Sequence, residues 1–137
     1  MTETRRVRVL VADDNRDTAE SLALLLQVLG FDTRAAHDGE QAWGAALTFR
    51  PDACVLDIHM PHADGCEVAR RVRRAFGRRV LLVAVTGVAG GPHDDRMAAA
   101  GFDVRFVKPA DPTAVARLLA QAEERRAAPQ HAANCSA

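Results

Sequence analysis

Four short apolar runs, at residues 7–12, 53–56, 80–85 and 104–107, are each followed at once by side chains able to do chemistry. Asp13 and Asp14 follow the first, Asp57 the second, Thr86 the third and Lys108 the fourth. Carboxylates brought close together repel and raise one another's pKa unless a cation neutralises them. Two or three carboxylates with no cysteine and no well-placed histidine favour a hard ion with oxygen ligands. Mg²⁺, or Mn²⁺ in its place, is such an ion and commonly bridges carboxylates to phosphate oxygens. Phosphoryl transfer is then the natural reaction: a carboxylate attacks phosphorus to give an acyl phosphate, while the metal, a lysine and a hydroxyl stabilise charge on the transferring oxygens. We read Asp57 as the nucleophile, because it is the single carboxylate ending its run, and the paired Asp13 and Asp14 as metal ligands. Taken singly, each residue has a plainer reading: Asp13-Asp14 as a helix N-cap, Thr86 as a turn residue, Lys108 as an exposed charge before Pro109. Their shared position at the ends of four successive buried runs argues against coincidence.

The elements that must hold them follow from periodicity. The four runs, with a weaker one at residues 33–36, read as buried parallel strands. Ala19, Leu22, Ala23, Leu26 and Leu29 fall on one helical face, as do Val115, Leu118, Leu119 and Ala122. A second helix over residues 40–49 must stop before Pro51, and a third over about residues 64–76 must end near Gly77. A fourth opens near Pro92 and ends before Gly101. Strand and helix alternate five times, which predicts a doubly wound α/β fold with helices on both faces of a parallel sheet. In such sheets ligands bind outside the carboxyl ends of the strands, where all the residues above converge. Residues 1–126 make one domain, and residues 127–137 (AAPQHAANCSA) lack periodicity and are expected to form a mobile tail.

Composition excludes several alternatives. The 137 residues, 48% hydrophobic and 26% charged, suit one core. Eighteen basic and eighteen acidic residues leave no net charge to attract nucleic acid or an anionic membrane. No segment approaches the roughly 20 apolar residues of a membrane span, and the N-terminus lacks an apolar signal, so a cytoplasmic location is expected. Cys54, Cys66 and Cys135 are odd in number and lack CxxC spacing, so they read as free thiols. Arg70, Arg71, Arg73, Arg74, Arg78 and Arg79 form a basic run, but no helix-turn-helix follows it and it reads as a solvated helix face. Pro61 between His59 and His62 breaks the spacing a histidine zinc pair would use.

The blocks VLVADDN, PDACVLDIHMPHADG, VAVTG and FVKP, in that order, resemble the receiver domains of two-component response regulators, and the resemblance runs from about Val7 to Ala122. It implies a flavodoxin-like sheet of order 2-1-3-4-5 and a phosphoryl group accepted on Asp57 from a histidine kinase or phosphotransfer protein. It also implies Mg²⁺ held by Asp13, Asp14, Asp57 and the backbone carbonyl of His59, phosphoryl oxygens bound by Thr86 and Lys108, and a cis Lys108–Pro109 bond. His59 and Val88 would flank the site, and Gly87, Gly90 and Gly91 would loosen the loop before the fourth helix. The family switch pairs the Thr86 position with an aromatic residue on the last strand. Arg105 stands there instead, while Phe106 should face the other side of the sheet. Arg105 reads either as a solvated edge charge or as part of a partner-binding surface formed by the fourth helix, fifth strand and fifth helix. Two other classes compete with this reading. A dehalogenase-type phosphohydrolase would need an acid two residues after Asp57, where His59 stands, and a non-phosphorylated pseudo-receiver would not need the intact acidic set. Relay shuttle, phosphate sink and protein-binding output stay open.

Overall fold

Five runs of small and β-branched residues form parallel strands: β1 Arg8–Ala12, β2 Asp32–Ala36, β3 Ala53–Asp57, β4 Leu81–Thr86 and β5 Val104–Val107. The computed structural model describes residues 6–87 and 93–127. The strand order is β2-β1-β3-β4-β5, the doubly wound order expected. Every residue of β3 and β4 is buried, which is why both read as unbroken apolar runs. In β5 half-buried and exposed positions alternate, as suits an edge strand with one wet face.

The connections are α1 Arg16–Val28, α2 Gly39–Phe49, α3 Gly65–Phe76, a 3₁₀ turn Gly77–Arg79, α4 His93–Ala100, α5 Pro112–Leu119 and α6 Gln121–Ala127. Asn15, Asp38, Asp64 and Asp111 cap α1, α2, α3 and α5, each side chain accepting an amide N–H of the first turn. Helix α2 stops at Phe49, and Arg50 takes φ 54° before Pro51. Strand residues alternate between two cores. Val9, Val11, Val55, Val83 and Val85 pack with α1, α5 and α6, whereas Leu10, Leu56, Leu82 and Ala84 pack with α2, α3 and α4. The expected fifth helix is divided: α5 ends at Leu119 and α6 begins at Gln121. Ala120 keeps helical angles (φ −58°, ψ −26°), so the division is a local tightening and Ala122 still reaches the core. The expected tail lies outside the described residues, except Ala127 at the end of α6. Among the described residues no helix is long and apolar enough to cross a membrane.

One member of the basic run is not solvated. Arg73 Nη1 donates to the carbonyls of Gly77 (2.8 Å) and Val80 (2.9 Å). Its Nη2 donates to the carbonyl of Gly101 and to Asp103 Oδ2, which also accepts the Leu82 amide. One guanidinium thus ties the end of α3, the start of β4, the end of α4 and the start of β5. Removing it leaves a half-buried carboxylate and three carbonyls without their charged donor, so Arg73→Ala is expected to cost about 2–3 kcal/mol, read as a fall in the urea midpoint at unchanged m. Cys54 and Cys66 are free and buried, and burial pushes the Cys54 thiol up to about 12, which keeps it protonated.

Candidate functional site

Each predicted residue sits at the carboxyl end of the sheet. The Asp13 amide donates to the Ala36 carbonyl (3.1 Å), anchoring the turn after β1 to the end of β2. Asp13 Oδ1 accepts the Asn15 amide (2.9 Å), and Asn15 in turn caps α1. The turn that presents Asp13 and Asp14 is therefore held by the helix start it precedes. Asp13 is buried and Asp14 is exposed. Asp57, the last residue of β3, is paired in register with Val85 of β4. The turn after it closes tightly, with the Ile58 amide on the Val85 carbonyl (3.1 Å) and the Gly65 amide on the Ile58 carbonyl (3.0 Å). A Cβ on Gly65 would overlap the carbonyl of Asp57. That glycine is therefore a condition of the turn rather than a source of looseness.

Lys108 crosses from the end of β5 to the acids. Its Nζ lies 3.1 Å from Asp13 Oδ2 and 3.2 Å from Asp57 Oδ2. Its amide donates to the Thr86 carbonyl (2.7 Å), which fixes the two strand ends together, and the Lys108–Pro109 bond is cis. Thr86 is buried at the end of β4, one strand over from Asp57. The His59 amide donates to Asp57 Oδ1 (3.2 Å), while its ring is exposed. Oxygens of Asp13, Asp14 and Asp57 lie within 4.8 Å of one another.

Burial, reinforced by the Asp13 charge, pushes the Asp57 carboxyl up from 3.8 to about 6 despite the opposing pull of Lys108 and the His59 amide. Burial would lower Lys108, but its hydrogen bond to Asp13 and the charges of both acids outweigh that and hold it above the usual lysine value. One ammonium thus serves two buried carboxylates and does not fully compensate them. The set is all oxygen, acidic and under-neutralised, and it fits a hard divalent cation. A cleft of about 430 Å³ between α1 and the segment after β5 opens onto Asp13, Asp57 and Lys108, with Leu22, Leu25, Ala110 and Pro112 among its walls.

One neighbouring contact has no signal in the chain's local pattern. Arg96 on α4 pairs with Asp64 Oδ2 at 2.7 Å, joining α4 to the turn after Asp57 across 32 residues of sequence. Burial alone would raise the Asp64 carboxyl, but Arg96 and the Glu67 amide hold it below the usual range. Arg105 is exposed on β5, and Phe106 packs toward α1 and α5 as alternation required. Val88, Gly90 and Gly91 lie outside the described residues.

The family described as "Response regulator receiver domain" matches residues 9–120. The chain is 38% identical to the response regulator MprA of Mycobacterium bovis, over 96% of this chain and 56% of that protein. It is 44% identical to MprA of Mycobacterium ulcerans over 56% of this chain and 33% of that protein. It spans about half the length of the curated relatives it matches. Among solved structures it superposes on a CheY-like receiver domain protein from Methanospirillum hungatei with a TM-score of 0.81 and 19% identity, over 88% of this chain and 96% of that one. A chemotaxis response regulator, CheY4 of Vibrio cholerae, gives 0.75 and 25%, over 85% and 98%.

Proposed function

Because the chain belongs to the response regulator receiver family, whose general property is phosphorylation on aspartate, we propose that Asp57 is its phosphoacceptor and that it signals by phosphorylation-dependent protein binding. The observation that carries this reading is the Asp57 carboxylate at the end of β3, with one oxygen on the His59 amide and the other on Lys108, and two further acids beside it. An Asp57 oxygen attacks the phosphorus of a phosphohistidine on a histidine kinase or phosphotransfer protein; the new O–P bond forms as the N–P bond breaks, and the imidazole leaves. Lys108, already placed between Asp13 and Asp57, meets the charge that gathers on the transferring oxygens, and the Thr86 hydroxyl binds one of them.

Asp13, Asp14, Asp57 and the His59 carbonyl are the groups that would hold Mg²⁺, which when bound supplies positive charge to the carboxylates and phosphoryl oxygens together. Output passes through the face formed by α4, β5 and α5, where Arg105 is exposed. Without Lys108 both buried acids lose their cation. Lys108→Ala is expected to slow phosphoryl uptake by about 10²–10³-fold, measured as initial rate against acetyl phosphate.

The test is intact mass after incubation with acetyl phosphate, with Mg²⁺ and with chelator. A gain of one phosphoryl group that requires Mg²⁺ is expected. No gain in either condition overturns the assignment and leaves a protein-binding scaffold on the receiver fold.

A further inference from the structure

The cleft beside Asp57 is larger than acceptor chemistry alone requires. It holds about 430 Å³ between α1 and the segment after β5. Asp13, Asp57 and Lys108 line it together with Val55 and Val85 of the central strands, so it reaches the buried sheet instead of lying flat on the surface. A space of that size with aliphatic walls and a few placed polar groups is what small-molecule pockets have. The methyl group of acetyl phosphate is too small to cover Leu22, Leu25, Ala110 and Pro112 in those walls.

We propose that the cleft is a leaving-group pocket: Asp57 takes phosphoryl groups from small acyl phosphates, and takes them faster when the acyl group is bulky and apolar, as in benzoyl phosphate. This rests on the reading of Asp57 as phosphoacceptor and adds the class of donor. Three observations select that class. Asp57 is itself part of the lining, so a donor with its phosphorus at that carboxylate has its leaving group within reach of the walls. Lys108 is the one cation among the described lining residues, and Asp13 and Asp57 already hold it. A nucleotide leaving group, or an acyl chain ending in a carboxylate, would bring further negative charge beside Asp17 with no second cation to meet it. An uncharged apolar acyl group meets no such repulsion, and the Thr18 and Ser21 hydroxyls on the α1 side are donors for its carbonyl oxygen. In the transfer an Asp57 carboxylate oxygen attacks phosphorus. The new O–P bond forms as the bond from phosphorus to the acyl oxygen breaks, and that electron pair leaves with the carboxylate, so neither a proton nor a redox partner is needed.

The test is the initial rate of phosphoryl uptake by the 137-residue chain with Mg²⁺ present, read as intact mass, from acetyl phosphate and benzoyl phosphate in parallel at low donor concentration. Acetate and benzoate are carboxylates of similar basicity, so a difference between the donors reports the cleft and not the bond that breaks. Benzoyl phosphate is expected to react about 10-fold faster or more. Leu25→Ser, at a wall position 46% exposed, should cut that ratio at least about threefold. Leu24→Ser, at the 61% exposed neighbour outside the cleft, should keep the wild-type ratio. Equal rates from the two donors in the wild type overturn the proposal and leave Asp57 standing as acceptor. A preference that Leu25→Ser leaves intact, or that Leu24→Ser lowers equally, overturns it as well. No uptake from either donor overturns the acceptor reading and this proposal with it.

Discussion

Asp57→Asn should take up no phosphoryl group from acetyl phosphate at any Mg²⁺ concentration, and in the absence of metal it should unfold at higher denaturant than the wild type at pH 7. The first effect follows from loss of the only oxygen nucleophile at the end of β3. The second follows from electrostatics. The folded chain holds the Asp57 carboxyl at about 6 against 3.8 for the free group, so it binds the proton more tightly than the unfolded chain does. The contribution of this group to stability is therefore full below about pH 4 and is lost as pH rises through the window from 3.8 to about 6. A shift of that size corresponds to at most about 3 kcal/mol. Because Lys108 loses one of its two partners, the net gain expected of the variant at pH 7 is about 1–3 kcal/mol. Urea melts at pH 4 and pH 7 read it directly: the gain should appear at pH 7 and vanish at pH 4. An equal gain at both pH values would show that packing, not the buried charge, is responsible. Added Mg²⁺ should narrow the difference, since the variant offers fewer carboxylates to the ion.

Gly65→Ala should be strongly damaging although it lies outside the acidic set. Its methyl group would run into the backbone carbonyl of Asp57, and backbone cannot swing aside as the end of a side chain can. We expect about 2–4 kcal/mol of lost stability. We also expect phosphoryl uptake slowed by at least about 10-fold, because relief of the overlap displaces Asp57 itself. The contrast is Gly44→Ala, where a Cβ on α2 meets nothing within 4 Å. There the gain in helix propensity should stabilise by about 0.5–1 kcal/mol with uptake unchanged. Urea melts and initial uptake rates on the two variants separate a clash at the site from a general intolerance of substitution.

Much of this arrangement is written locally in the chain. Ala53–Asp57 and Leu81–Thr86 are buried on both faces, so their composition alone marks them as central strands, and a sheet of such strands brings Asp13, Asp57, Thr86 and Lys108 to one rim. What was hidden depends on partners far apart in sequence. Arg73 looked like one of six equivalent arginines, and only the meeting of Gly77, Val80, Gly101 and Asp103 around it makes it internal. The Arg96–Asp64 pair is equally silent in the chain. The exposure of Leu24 and Val28 is silent too, because an apolar residue on a helix does not itself say whether its neighbour is this chain or another. The boundary between α5 and α6 leaves no mark, since Ala120 favours helix as strongly as the residues around it.

The order β2-β1-β3-β4-β5 also sets a schedule for synthesis. A ribosome delivers Asp13, Asp14 and Asp57 well before Lys108, the cation that lies between two of them. Until translation passes β5, the nascent chain holds its acids without their lysine, and β4 has only one of its two neighbours. A product arrested short of residue 108 would present an open sheet edge to quality control and could not complete the acidic site. Completion of the acidic site is thereby tied to having been made through β5.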